Sequence, residues 1–193
     1  MNHPIINIEY NRFLDPIFLG WIRSQEQYKN WIAPSKDEVL KNAEGYKRAW
    51  KIYGSRILSG LTEITGLMFK RNHIDVHVVT GNPRAFSFPI IVKSRYEPIE
   101  FVQVLAHELI HCLFKDNNIH SDQKDPYPNN PHILVHAVLK YIYLDCLNEP
   151  DMLRMNKERS LIGDGNDEYK TAWDFVEKVD YRFILRAFKK KVS

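Results

Sequence analysis

The chain has 193 residues, a formal net charge of +3, and 44% hydrophobic, 12% aromatic and 26% charged residues. These proportions belong to a folded globular protein and exclude a disordered or low-complexity chain, while a charge this small marks no strongly polyanion-seeking surface. One domain over residues 1–193 is expected, since a chain of this length buries roughly 70% of its unfolded surface without a stabilising disulfide.

Taken in order, residues 1–35 hold short apolar pieces broken by Pro16, Gly20 and Pro34, and read as helix and loop with Phe13, Phe18, Trp21, Tyr28 and Trp31 as anchors. Ser35 followed by Glu38 has the spacing of a capping box. A long amphipathic helix is predicted from there, because Val39, Ala43, Tyr46, Trp50, Tyr53, Ile57, Leu61 and Ile64 recur at steps of three and four. Gly54 and Gly60 are places where it could kink or split. Ile74–Val79 alternates as a strand does, Gly81-Asn82-Pro83 reads as a turn, and residues 86–92 read as a second strand. Pro89 cannot donate to a ladder, which assigns that strand to a sheet edge. His77 falls on the polar face of its strand.

A helix is predicted over Pro98–Phe114. Proline suits the first turn, where its missing N–H costs nothing, and Glu97 and Glu100 favour the positive end of the helix dipole. Residues 115–130 are polar and turn-rich. Asn130 as cap and Pro131 in the first turn then open a second apolar helix through Leu144. Residues 148–168 read as a polar stretch with a turn at Gly163-Asp164-Gly165, and Tyr169 to Phe188 as one final helix, with Lys189-Lys190-Lys191 as a solvated tail. The expected class is α+β, with several helices around a small, mostly antiparallel sheet.

Chemistry is concentrated in His107-Glu108-Leu109-Ile110-His111. At about 100° per residue His107 and His111 share one helix face, so two imidazoles one turn apart can grip one metal ion. Glu108 lies on the flank of that face, suited to take a proton from water as a general base. A pair of exposed or hydrogen-bonded histidines is the plain alternative, but the neighbours Val104, Ala106, Leu109 and Ile110 describe a buried helix in which polar side chains need partners. Tetrahedral zinc with one open position asks for a third protein ligand. His120 sits in the polar loop and Asp145 lies opposite the histidine stripe, leaving His132 and His136, which point the same way from the second apolar helix. His136 is favoured because it lies a full turn inside, where packing fixes it, with His132 as alternative ligand or supporting partner. Tyr143, on the same face, is a candidate oxyanion donor, although a core tyrosine is the plainer reading.

The His107-Glu108-Leu109-Ile110-His111 pentad resembles the zincin superfamily of zinc metallopeptidases. The resemblance covers the motif helix closely and the strands before it loosely. The extended metzincin pattern is absent, since Phe114 and Asn117 stand where it has glycine and a further ligand. No glutamate stands about twenty residues after His111, where thermolysin-like enzymes carry their third ligand; the chain there reads Asn130-Pro131-His132. Those enzymes carry it inside the following helix, which adds weight to His136. The resemblance implies a Zn2+ site in a cleft between the Pro98–Phe114 helix and the Pro131–Leu147 helix. It further implies peptide hydrolysis with Glu108 as base, and an edge strand that binds extended peptide. A peptide or protein is then the expected substrate. The other class weighed is a non-catalytic domain with structural zinc that binds a protein or nucleic acid, against which Glu108 counts, because a structural site needs no base. No zinc ribbon or basic helix points to nucleic acid.

Cys112 and Cys146 lack CxxC spacing and read as buried thiols, which suits a reducing compartment. With neither a signal-like N-terminus nor about 18 consecutive apolar residues, a cytoplasmic protein without membrane contact is expected.

Overall fold

The structure, a computed structural model, describes residues 3–119, 125–127, 129–160 and 167–192. Among the described residues it is α+β, with four strands in one sheet and seven α-helices. Its contacts divide the chain into two compact units, Met1–Ile52 with Arg71–Glu108, and Tyr53–Lys70 with Leu109–Ser193. The two long helices, α2 (Lys36–Thr65) and α3 (Pro98–Asp116), each supply residues to both.

The first unit holds the sheet: β1 (Ile5–Tyr10), β2 (His73–Val79), β3 (Phe86–Ser87) and β4 (Ile90–Lys93), in the order β1-β2-β4-β3. β1 pairs parallel with β2 and β2 parallel with β4, and only β3 runs antiparallel to β4. The sheet is therefore mixed and mainly parallel, correcting the antiparallel expectation. The reason is β1, which residues 1–35 conceal as helix and loop. The chain returns from β1 to β2 through α1 (Asp15–Ser24) and α2, a helical crossover of the kind that joins parallel strands. The signal for β1 was present in the alternation of Ile6, Ile8 and Tyr10 with Asn7 and Glu9, and Ile8 is buried while Asn7 and Glu9 are exposed.

The expected strand over 86–92 is two strands, broken by a turn at Phe88 and Pro89. β3 is the outermost of them, in keeping with an edge position for the proline segment. In α2, Ser35 and Glu38 do form a capping box: the Glu38 carboxylate accepts from the Ser35 amide at 2.7 Å, and the Ser35 hydroxyl accepts from the Glu38 amide at 3.3 Å. α2 and α3 are joined in this unit by Tyr46 stacked on Phe101, with ring centroids 4.1 Å apart and planes 2° from parallel. The Tyr46 hydroxyl donates to the Tyr96 carbonyl and accepts from the Tyr96 amide, both at 2.9 Å. This fixes the entry to α3, because Tyr96 immediately precedes its Glu97-Pro98 start.

The second unit is helical. α4 (His132–Tyr141) continues into a π-helical turn at Ile142–Cys146, followed by α5 (Pro150–Ser160), α6 (Asp167–Lys178) and α7 (Tyr181–Val192). Its core gathers Ile57 and Leu61 of α2, Leu109 and Leu113 of α3, and Leu134, Val138, Val176, Ile184 and Phe188 of the later helices. α2 does not split at its glycines. A Cβ at Gly60 would come within 2.5 Å of the Cys146 sulphur and 2.7 Å of the Ile142 side chain, so glycine there permits close approach of the π-turn.

Two expectations for the C-terminal region are corrected. Residues 150–160 form α5, a mostly polar helix whose apolar burial rests largely on Met152 and which Arg154 braces with Asp151 and Glu158. The single final helix is two, parted at Asp180, whose φ of 51° is left-handed. The lysine run belongs to the last turn of α7, with Lys189 donating to the Glu63 carbonyl and Lys191 to the Asp125 carbonyl. Gly163-Asp164-Gly165 lies outside the described residues. Cys112 is buried, Cys146 is half-buried, and both are free thiols. No described helix is long and apolar enough to cross a membrane.

Candidate metal centre

α3 is apolar on nearly every side: Phe101, Val102, Leu105, Ala106, Leu109, Ile110, Cys112, Leu113 and Phe114 are all fully buried. His107 and His111, one turn apart, are half-buried, as is Val104 one turn before His107. Desolvating two imidazoles in such surroundings requires partners for their nitrogens. One nitrogen from each of His107, His111 and His132 lies within 4.8 Å of the other two. The His111 and His132 rings meet nearly edge to face, with centroids 5.4 Å apart.

His132 is held from behind. Its Nδ1 lies 2.7 Å from a Glu168 carboxylate oxygen of α6, and the Asn130 side chain accepts from the His132 amide at 3.1 Å while donating to the Glu168 carbonyl at 3.1 Å. A proton on Nδ1 directed to the carboxylate leaves Nε2 with its lone pair, the tautomer that a metal ligand needs. The His132 side chain is 14% exposed, enough to meet an ion from outside the core.

The sequence favoured His136 as the third ligand, and the converging group contains His132 instead. His136 is one turn deeper and only 1% exposed. Its ring stacks on Trp173 with centroids 4.4 Å apart and planes 16° from parallel, and Tyr169 lies 5.6 Å away. Burial, with lesser contributions from His132 and His111 nearby, holds its pKa well below the usual histidine value, so it is neutral. The depth that argued for a well-fixed ligand instead places the ring beneath an indole.

Glu108 is 7% exposed and accepts a hydrogen bond from the Ser87 hydroxyl of β3 at 2.5 Å. Burial pushes its pKa up to about 7, against the opposing pull of the Ser87 hydrogen bond. A carboxyl group poised there can both take and return a proton at neutral pH. Tyr143 is fully buried and its hydroxyl accepts from Asn156 at 3.4 Å, the position of a core residue. Asp145 is engaged by Tyr181 and Arg182 at 2.6 and 2.8 Å. His77 is half-buried, 3.1 Å from the Asn11 side chain, and His120 lies outside the described residues.

Sequence reasoning missed Ser87, Glu168, Tyr169 and Trp173. Glu168, Tyr169 and Trp173 occupy successive turns of α6, and Tyr169 also packs on His132 with centroids 4.4 Å apart. The available signal was the aromatic spacing of Tyr169 and Trp173, which marks a helix but not what the helix packs on. Three imidazoles converge on one volume, one of them backed by a carboxylate, and His107, His111 and His132 could together hold one metal ion. Comparison with protein-family models, with curated proteins and with solved structures finds no match.

Proposed function

We propose that this chain is a zinc-dependent metallopeptidase of the zincin type, with His107, His111 and His132 as ligands and Glu108 as general base. The observation that carries the reading is a buried carboxyl group, held by the Ser87 hydroxyl, next in sequence to one of three converging imidazoles. An ion with three neutral nitrogen ligands and a vacant position suits zinc, and a structural site would have no use for such a base. When bound, zinc supplies Lewis acidity that polarises a carbonyl and lowers the pKa of water to about 7.

The chain's own groups do the rest. Glu108 accepts a proton from the attacking water as its oxygen bonds to the scissile carbonyl carbon. As the C–N bond breaks, the same carboxyl group returns that proton to the departing amine. Ser87 aims the carboxylate by donating to one of its oxygens, and Glu168 fixes the tautomer of His132. His136, neutral and packed on Trp173, holds α4 against α6.

Glu108→Gln tests this reading. The amide is nearly isosteric but a poor proton acceptor, so zinc content and melting temperature should match the parent, while hydrolysis of unfolded casein falls by about a hundredfold or more. Equal casein hydrolysis by the two proteins would remove Glu108 from the chemistry, and a parent that takes up no zinc would remove the site.

A further inference from the structure

We infer that Phe18, Trp21 and Phe86 form a subsite that selects a large apolar side chain of an extended peptide substrate; this assignment rests on the peptidase reading above. The three rings are mutual neighbours, with centroids 6.0 Å apart for Phe18 and Trp21 and 5.9 Å for each of these with Phe86. They do not form a closed core. Trp21 is 36% exposed and Phe88, two residues after Phe86, is 40% exposed. Grouped large rings left open to water mark a surface that binds something apolar.

Continuity with Glu108 says what that something is. Phe86 and Ser87 are consecutive residues of β3, so their side chains leave opposite faces of the sheet. Ser87 reaches Glu108 of α3 on one face, and Phe86 joins the α1 rings on the other. β3 is also the outermost strand of the sheet. A peptide laid along it would present successive side chains to the two faces alternately. When one residue lies on the Glu108 face, its neighbour meets the rings.

The rings define the class of that neighbour. Aromatic and long aliphatic side chains gain from burial against Phe18 and Trp21. The Arg84 guanidinium, 5.4 Å from the centre of the Phe86 ring, sets a positive charge at the rim and opposes a lysine or arginine. The subsite therefore discriminates by size and hydrophobicity.

The test uses the full-length zinc-loaded chain and a proteome-derived peptide library, with cleavage sites read by mass spectrometry. Trp21→Ala, Trp21→Leu and Ile5→Ala are compared with the parent, Ile5 being an exposed apolar residue on β1, at the far edge of the sheet. The parent should prefer Phe, Tyr, Leu or Met at one position beside the cut. Trp21→Ala should lower that preference by about tenfold, as expected for losing burial against one indole. Trp21→Leu should lower it less, and Ile5→Ala should leave it intact. Independently of hydrolysis, peptides retained from the same library by immobilised Glu108→Gln protein should be enriched in those residues, and the enrichment should vanish when Trp21→Ala is added. A parent that cleaves nothing while its Glu108→Gln form still shows Trp21-dependent enrichment defeats the peptidase reading and leaves the subsite standing as a binding surface. A parent that cleaves with a profile unchanged in both Trp21 variants overturns the subsite and leaves the peptidase reading intact. Loss of self-association in Trp21→Ala with an unchanged cleavage profile also overturns it, assigning the rings to a second copy of the chain.

Discussion

Two helices of this protein each carry a pair of histidines one turn apart, and the two pairs have opposite fates. On α3, His107 and His111 are both half-buried and both join the converging group. On α4, His132 joins it while His136, on the same face, is 1% exposed and lies against Trp173. Helical spacing puts two imidazoles on one face, but it does not decide which of them meets an ion. That depends on what packs over the face. α6 lays a carboxylate behind His132 and an indole over His136, so the first keeps a ring edge toward the converging group while the second packs as a core residue.

The largest effect is expected on α3. His111→Ala removes one of the three converging nitrogens. Zinc affinity should fall by more than about a hundredfold, beyond the range of a supporting residue. A competitive titration against a chromophoric chelator measures it. A loss of only a few-fold would mean that the α3 pair is no more committed to metal than the α4 pair.

A smaller effect is expected at the carboxylate that distinguishes the two α4 histidines. Glu168→Ala should weaken zinc binding by about ten- to a hundredfold, the usual worth of such a partner, with little change in melting temperature, because the Glu168 side chain is 50% exposed. Unchanged affinity in the same chelator titration would deny Glu168 its orienting role and leave the difference between His132 and His136 to burial alone.

The parts legible in the sequence were those encoded locally. The α3 helix announces itself by Pro98 and an apolar run, and the capping box of α2 by Ser35 and Glu38, so both elements stand where expected. The convergence of His107 and His111 needed only the periodicity of one helix. The α+β class also followed, although β1 was hidden within a segment rich in aromatic anchors and α5 within one rich in charge. The strand over residues 86–92 was read too long because seven apolar-rich residues disguise a turn at Phe88 and Pro89.

Which α4 histidine joins the α3 pair was not legible, for a physical reason. His132 and His136 differ in their surroundings, and those surroundings come from α6, with Glu168 lying 36 residues along the chain from His132. No local pattern reports that contact. Ser87 was missed in the same way, since its bond to Glu108 spans 21 residues and two elements. Depth does fix His136, but it does so against Trp173, and the nitrogens that converge are those of His107, His111 and His132.

On the proposed reading His132, and not His136, completes the metal site. Titrating zinc into His132→Ala and His136→Ala side by side, with a thermal melt on each to register folding, separates the two. His132→Ala should lose zinc affinity by more than about a hundredfold with a near-parental melt. His136→Ala should keep affinity within a few-fold while the fold loses about 2–4 kcal/mol from the emptied space beside Trp173. The reverse order, with His136→Ala losing zinc and His132→Ala retaining it, would contradict the site as described and return the third ligand to the interior of α4.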